Sequence, residues 1–297
     1  MRDTPEGMGM MSMAVTEINL TVIGDRACST TRTYLTYLRA AGLRPRRLWL
    51  VDFVRPTPTL LRLRALIGER LAELWRRSRA PHAQATDADY RALCLQLQRE
   101  AGFDPIDHFG HWQSQELASK VEQFSASDFH DPVLQRRLLN MTDTAFLYTN
   151  GGIVPASLLD KPGVRVLHIH PGIVPDIRGS DCLLWSAQVR RRIGVSCFYM
   201  SPGIDEGPLI GQHETDLPHL PTMAELLPAG REPELYRALL FAVDPHFRAR
   251  LLVEVLQQHP GTDLRSLPFV TQPPARRPAY LWMHPRLRTR VMKDAFL

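Results

Sequence analysis

The chain has 297 residues, 44% hydrophobic and 23% charged, with a formal net charge of +5 and a pI near 9.2, the balance of an ordinary soluble globular protein of about two domains. Its cysteines, Cys28, Cys94, Cys182 and Cys197, are far apart with no CxxC pair, which speaks against a disulfide framework and points to a reducing cytoplasm. No apolar stretch is long enough to span a membrane, and no block of five or more like charges appears, so the mildly basic balance reads first as a solvated surface, with an anionic substrate or cofactor, or tRNA, as the alternative.

The opening "MRDTPEGMGMMSMAVTE" lacks a basic region followed by an apolar core, so it is not a signal peptide. We expect a disordered leader over 1–17. "INLTVIG" (18–24) is an apolar run ending in glycine, as in a buried parallel strand. A helical pattern closed by Gly42 follows, and then the strand "RLWLVDF" (47–53). Strand, helix and strand in this spacing make a βαβ unit. "VIGDR" lacks the GxGxxG fingerprint, so a dinucleotide site has no support.

The alternation breaks over about 56–116. "TLLRLRALIGERLAELWRRSR" and "DADYRALCLQLQREAG" are two amphipathic helices, read as an inserted hairpin packed through its leucine stripe. The rhythm resumes with "SKVEQF" (119–124), a helix near 131–140, the strand "TAFLYT" and a Gly151–Gly152 turn. The strands "VRVLHIH" (164–170), "GVSCFYM" (194–200) and "GPLIGQHETDL" (207–217) follow. From 218 to 297 the chain reads as a mainly helical extension, in which Pro245 should break or kink a long helix. The fold expected is α/β, a mostly parallel sheet flanked by helices.

The chemistry concentrates in "HIHPGIVPDIRG" (168–179) and in Asp205 of a Gly-x-Asp-x-Gly turn after the next strand. Ligands of open α/β sheets bind beyond the carboxyl ends of the strands, where His168, His170, Asp205 and the Gly151–Gly152 turn all fall. Alternate residues of a strand share a face, so both histidines could ligate one ion with Asp205. A zinc hydrolase needs a further ligand or a placed carboxylate base, and our reading assigns no metal. An imidazole held by a carboxylate suits proton transfer, which fits His170 with Asp205, while His168 could stabilise a developing oxyanion. The plain alternative is two buried histidines satisfied by backbone.

The stretch from His168 to Ile210 resembles the folate-dependent formyltransferase family. Pro171, Pro175, Arg178–Gly179, Trp185, Gly203, Asp205, Gly207 and Pro208 match its pattern, and "TNGGIVP" resembles the family loop beside the folate. The resemblance covers about 119–217 well, 18–53 through its strand–helix–strand pattern alone, and neither 56–116 nor the tail. It implies a Rossmann-like formyltransferase domain over 18–217 and a formyl donor, 10-formyltetrahydrofolate. It implies His168, His170 and Asp205 as catalytic residues. Gly151, Gly152, Ile153, Val154, Pro155, Gly203 and Gly207 are expected around the cofactor. His168 stands where the family has the asparagine that polarises the formyl carbonyl, and this departure bears on every mechanism. The acceptor implied is an amine on a small molecule. The helical tail does not read as the β-barrel of the tRNA enzymes, although its Arg-rich end keeps tRNA open as a partner. A cytoplasmic protein is expected, with no membrane partner and a homodimer admitted. Hydrolysis of formyltetrahydrofolate and a non-catalytic binding role are the alternatives.

Overall fold

Side chains alternate across a strand, and along the central strands of this protein both faces are apolar. The structure, a computed structural model, describes residues 15–25, 28–54, 57–79, 88–141 and 143–297. Strand β1 (Thr16–Gly24) buries Leu20 and Val22 in one core and Ile23 in a second, which requires cover on both sides of the sheet. Helix α1 (Ser29–Ala40) lays Tyr34, Leu35 and Leu38 on the first core. Its exit passes Gly42, whose φ of 70° makes the left-handed turn. Strand β2 (Leu43–Phe53) then divides Leu48 and Leu50 from Trp49 and Val51 between the same two cores.

Helix α2 (Pro58–Arg79) contains Gly68 at φ 78° and ψ 164°, which interrupts its helical geometry. Helix α3 (Ala88–Glu100) packs Tyr90, Leu93, Cys94 and Leu97 into the first core. The expected hairpin held by a leucine stripe is not seen: Leu61, Leu66, Ile67, Leu71 and Leu74 of α2 are exposed, and α3 gives its apolar face to the main body instead. The leader expected over 1–17 lies outside the described residues up to 14, whereas Thr16 and Glu17 already pair with β2.

Strand β3 (Lys120–Ala126) leads into helix α4 (Pro132–Leu139), whose first turn is capped by Asp131 accepting from the Val133 N–H at 2.9 Å. Strand β4 (Ala145–Tyr148), helix α5 (Ala156–Leu159) and strand β5 (Val166–His170) follow. Helix α6 (Cys182–Arg190) connects to strands β6 (Ile193–Tyr199) and β7 (Leu209–Thr215). The sheet order is β3-β2-β1-β4-β5-β6-β7. The first five strands are parallel, and β6 pairs antiparallel with both β5 and β7, so β6 alone runs in the opposite direction. Chain direction across the sheet reverses between β1 and β4, which opens a crevice at their carboxyl ends.

Beyond the sheet come helices α7 (Thr222–Leu226) and α8 (Glu232–Ala238), a π-helical turn (Leu239–Val243), α9 (Asp244–Gln258) and α10 (Pro285–Phe296). The break expected at Pro245 takes the form of that wider turn immediately upstream, which accommodates a residue with no N–H to donate. Helix α9 packs across α1 and β6. A buried polar cluster ties α1, α3 and α9 together. Gln98 Oε1 already accepts the Ile106 N–H at 2.7 Å, so His246 Nε2, also 2.7 Å away, must donate to it. His246 Nδ1 is then the acceptor for the Tyr37 hydroxyl at 2.9 Å. His108 meets Thr33 Oγ1 at 2.9 Å close by. No helix among the described residues is long and apolar enough to cross a membrane.

Candidate active site

The two histidines end β5, where the period of two puts both rings on one side of the sheet with centroids 6.3 Å apart. Each also approaches the ring of Phe198, whose strand pairs antiparallel with β5. His170 is 2% exposed and His168 half-buried. After His170 the chain doubles back so that the Ile177 carbonyl accepts from His170 Nε2 at 3.1 Å. Gly172 makes this return feasible, since a Cβ there would sit 2.9 Å from that nitrogen. Ser196 Oγ donates to the Gly172 carbonyl at 2.6 Å and accepts the Val174 N–H at 3.2 Å, which fixes the loop containing the cis Val174–Pro175 peptide.

Asp205 arrives from the turn after β6, in the left-handed region at φ 56°. Its Oδ2 stands 3.5 Å from His170 Nδ1 and accepts the Gly179 N–H at 2.8 Å. Arg178 secures the same turn, donating to the Ile204 carbonyl at 3.0 Å and pairing with Glu206. A Cβ at Gly207 would overlap the Tyr199 carbonyl oxygen, so only glycine closes the turn. The Arg-Gly and Gly-x-Asp-x-Gly motifs are therefore two halves of one junction.

Burial holds the His168 imidazole well below its usual pKa, at about 4. The neighbouring His170 acts in the same direction and Asp205 opposes it. Burial also lowers the pKa of His170, again against the pull of Asp205. Both rings are thus neutral at pH 7, and a hydrogen bond of His168 to the Tyr148 backbone works against the lowering without reversing it. Among the described residues, His168, His170 and Asp205 each offer one ligand atom within 4.8 Å of the others.

Two cavities flank the strand-end loop after β4. One, of about 330 Å³, is lined by Gly152, Ile153, Val154, Met200, Gly203 and Asp205. The other, of about 380 Å³, is lined by Cys28, Thr30, Asn150, Gly151, Asp25 and Arg248. The candidate cofactor residues therefore divide. Gly152, Ile153, Val154 and Gly203 share the first cavity and Gly151 faces the second. Pro155 and Gly207 line neither: Pro155 precedes α5 as its N-cap, and Gly207 is pressed against the Tyr199 carbonyl. Trp185 stacks on Tyr280 of the tail at 4.6 Å and stays out of both.

Sequence reasoning passed over the contribution of the tail. Arg248 Nη2 lies 2.6 Å from Asp244 Oδ2 and 3.0 Å from Thr30 Oγ1, beside the second cavity. The sequence signal was an acid and an arginine four apart on a face that is otherwise apolar. Gln272 Nε2 donates to the carbonyls of Asp205 (3.2 Å) and Gly207 (2.6 Å), and Tyr280 forms an isolated parallel bridge with Gly179. Neither residue sits in a pattern that announces such a contact.

Residues 104–242, which include β3 to β7 and the whole His168–His170–Asp205 cluster, match the family model described as formyl transferase. The chain carries a formyl transferase domain. Among curated proteins the chain is similar to the methionyl-tRNA formyltransferase of Syntrophus aciditrophicus (strain SB), 28% identical over 120 residues, which are 36% of this chain and 38% of that protein. It is also similar to the mitochondrial 10-formyltetrahydrofolate dehydrogenase of Mus musculus, 25% identical over 158 residues, 53% of this chain and 16% of that protein. The chain spans less than two fifths of the length of the first curated relatives it matches. Among solved structures, the chain is similar to glycinamide ribonucleotide transformylase 1 from Symbiobacterium toebii. The identity is 15% and the TM-score 0.39, over 90% of this chain and 100% of that one.

Proposed function

We propose that the domain transfers a formyl group from 10-formyltetrahydrofolate to an amine carried by a small molecule. The observation that carries this reading is the neutral, buried His170 facing Asp205 beside a cavity framed by the Gly152–Val154 and Gly203–Glu206 turns. Those turns are where the family resemblance expects the folate, so the donor occupies the first cavity. The acceptor enters from the second, past Thr30, Asn150 and Arg248.

The acceptor nitrogen attacks the formyl carbon, a new N–C bond forms, and the carbonyl electron pair moves onto oxygen. His170, with Nε2 committed to the Ile177 carbonyl, presents Nδ1 and Asp205 to the proton the amine loses. That proton then goes to N10 of the folate as the old C–N bond breaks, leaving tetrahydrofolate and the formamide. His168 occupies the position from which the family stabilises the carbonyl oxygen as charge develops there.

The test is turnover of 10-formyltetrahydrofolate by the purified protein with and without a panel of amines. Tetrahydrofolate release that needs an amine supports transfer. Release without any amine, abolished in His170→Ala, would mean hydrolysis, and no folate binding would end the reading altogether.

A further inference from the structure

We propose that His168, His170 and Asp205 form a binding site for one divalent first-row transition-metal ion, with at least one coordination position left open. On sequence alone, two histidines and a distant aspartate lacked the geometry to carry this. Three structural observations now do.

The first is distance. Two ligands about 2.1 Å from one tetrahedral ion lie about 3.4 Å apart. His170 Nδ1 and Asp205 Oδ2 are 3.5 Å apart, wider than the roughly 2.7–3.0 Å of a charge-assisted hydrogen bond. The third ligand atom, from His168, falls within 4.8 Å of both.

The second is orientation by outer partners. Metal-bound imidazoles usually give their other N–H to a carbonyl or carboxylate, and ligating carboxylates are themselves hydrogen-bonded. His170 Nε2 has the Ile177 carbonyl at 3.1 Å, so Nδ1 presents its lone pair to the cluster, and Asp205 Oδ2 is steadied by the Gly179 N–H at 2.8 Å.

The third is the donor set: His168 adds a second imidazole to His170 and Asp205, and its ring also meets the Tyr148 backbone, an outer partner of the kind ligating histidines have. Two imidazole nitrogens and one carboxylate suit Zn²⁺, Fe²⁺ or Co²⁺ rather than the all-oxygen cations Mg²⁺ and Ca²⁺. Three protein ligands with a vacant fourth position is the pattern of reactive rather than structural sites.

The inference rests on the formyl-transfer reading only for its functional consequence. An ion at His170 Nδ1 takes the lone pair that proton transfer needs, so a loaded protein is expected to lose formyl transfer. The His168→Asn variant places the family residue at that position and removes one ligand.

Binding is measured first, with Zn²⁺ by calorimetry and Co²⁺ by its visible absorption, on metal-stripped protein without folate. One equivalent should bind the wild type, and affinity should fall by at least about 100-fold in His168→Asn and in Asp205→Asn. Circular dichroism melts confirm that both variants are folded. Equal affinity in the wild type and both folded variants would place the metal elsewhere and overturn the proposal. Turnover with Zn²⁺ or with chelator then separates the two readings. Tight, His168-dependent binding without formyl transfer in either state leaves the metal site standing and removes the formyl-transfer assignment. Tight binding with undiminished transfer overturns the shared use of Nδ1.

Discussion

Gly179 gives its backbone N–H to Asp205 Oδ2 at 2.8 Å, the same oxygen that stands 3.5 Å from His170 Nδ1. The carboxylate is thus aimed by one loop at a histidine presented by the strand before it. Loss of either partner should be felt in the chemical step more than in folding. His170→Ala is expected to lower kcat by about 10²–10⁴ with little change in folate affinity. Steady-state kinetics with direct measurement of folate binding checks this, and an unchanged kcat would remove His170 from the reaction.

Arg178 should matter through the turn it holds. Arg178→Met deletes the donors to the Ile204 carbonyl and to the Arg277 carbonyl (3.1 Å) and leaves Glu206 without its partner. A stability loss of about 1.5–3 kcal/mol is expected. The KM for the donor should rise, because residues 203–206 frame the donor cavity. Denaturant unfolding and donor titration read the two effects separately.

The Asp244–Arg248 pair is buried, with side chains 4% and 12% exposed. Burial raises the Asp244 pKa while Arg248 opposes the rise. Removing Arg248 alone strands that carboxylate, at a cost of about 3–5 kcal/mol. The double variant Asp244→Asn/Arg248→Gln should therefore be more stable than Arg248→Gln alone. Additive losses in a double-mutant cycle would show the two residues to be uncoupled.

Part of the acid sensitivity should arise from the helical layer, beside the share of the buried His168 and His170. Burial depresses His108 to about 4, reinforced by Arg32, and His246 to about 3, reinforced by His108. The unfolded chain takes up these protons near pH 6.5 and the folded chain only below those values. Stability from these groups is therefore full above about pH 6.5 and falls as pH drops toward 4 and then 3. Replacing His246 by Gln should flatten part of this decline in melts collected between pH 7 and 4.

Exposed α2 makes a contrasting prediction. Leu66 is 80% exposed and Leu71 is 56% exposed. Serine at either position should change stability by no more than about 0.5 kcal/mol. A large loss would mean that the helix is packed in solution.

Much of the sheet was legible because each buried strand is apolar on both faces and is bounded by glycine or a charged turn. The pairing of His168 with His170 followed from strand periodicity, and Asp205 from a glycine-bracketed turn that tolerates a positive φ. The α2 stripe misled because leucines at helical spacing show that a face is apolar, not that this chain covers it. Gln272 and Tyr280 were illegible for a different reason. Their partners are backbone groups remote in sequence, and contacts of that kind leave no periodic trace. Arg248 did leave a trace, four residues after Asp244, but nothing local announces Thr30 as its second partner.

The stretch from Gln272 to Met283 crosses the underside of the Asp205 turn. Gln272 binds the Asp205 and Gly207 carbonyls, Tyr280 exchanges hydrogen bonds with Arg178 and Ser180, and the Met283 N–H reaches Asp181 at 2.8 Å. The same stretch runs on into α10, which seats Val291, Met292 and Phe296 in the main core. A protein shortened to end before Gln272 would therefore lose the strap under Asp205 and part of its core in one cut, so the tail serves the site and the fold together.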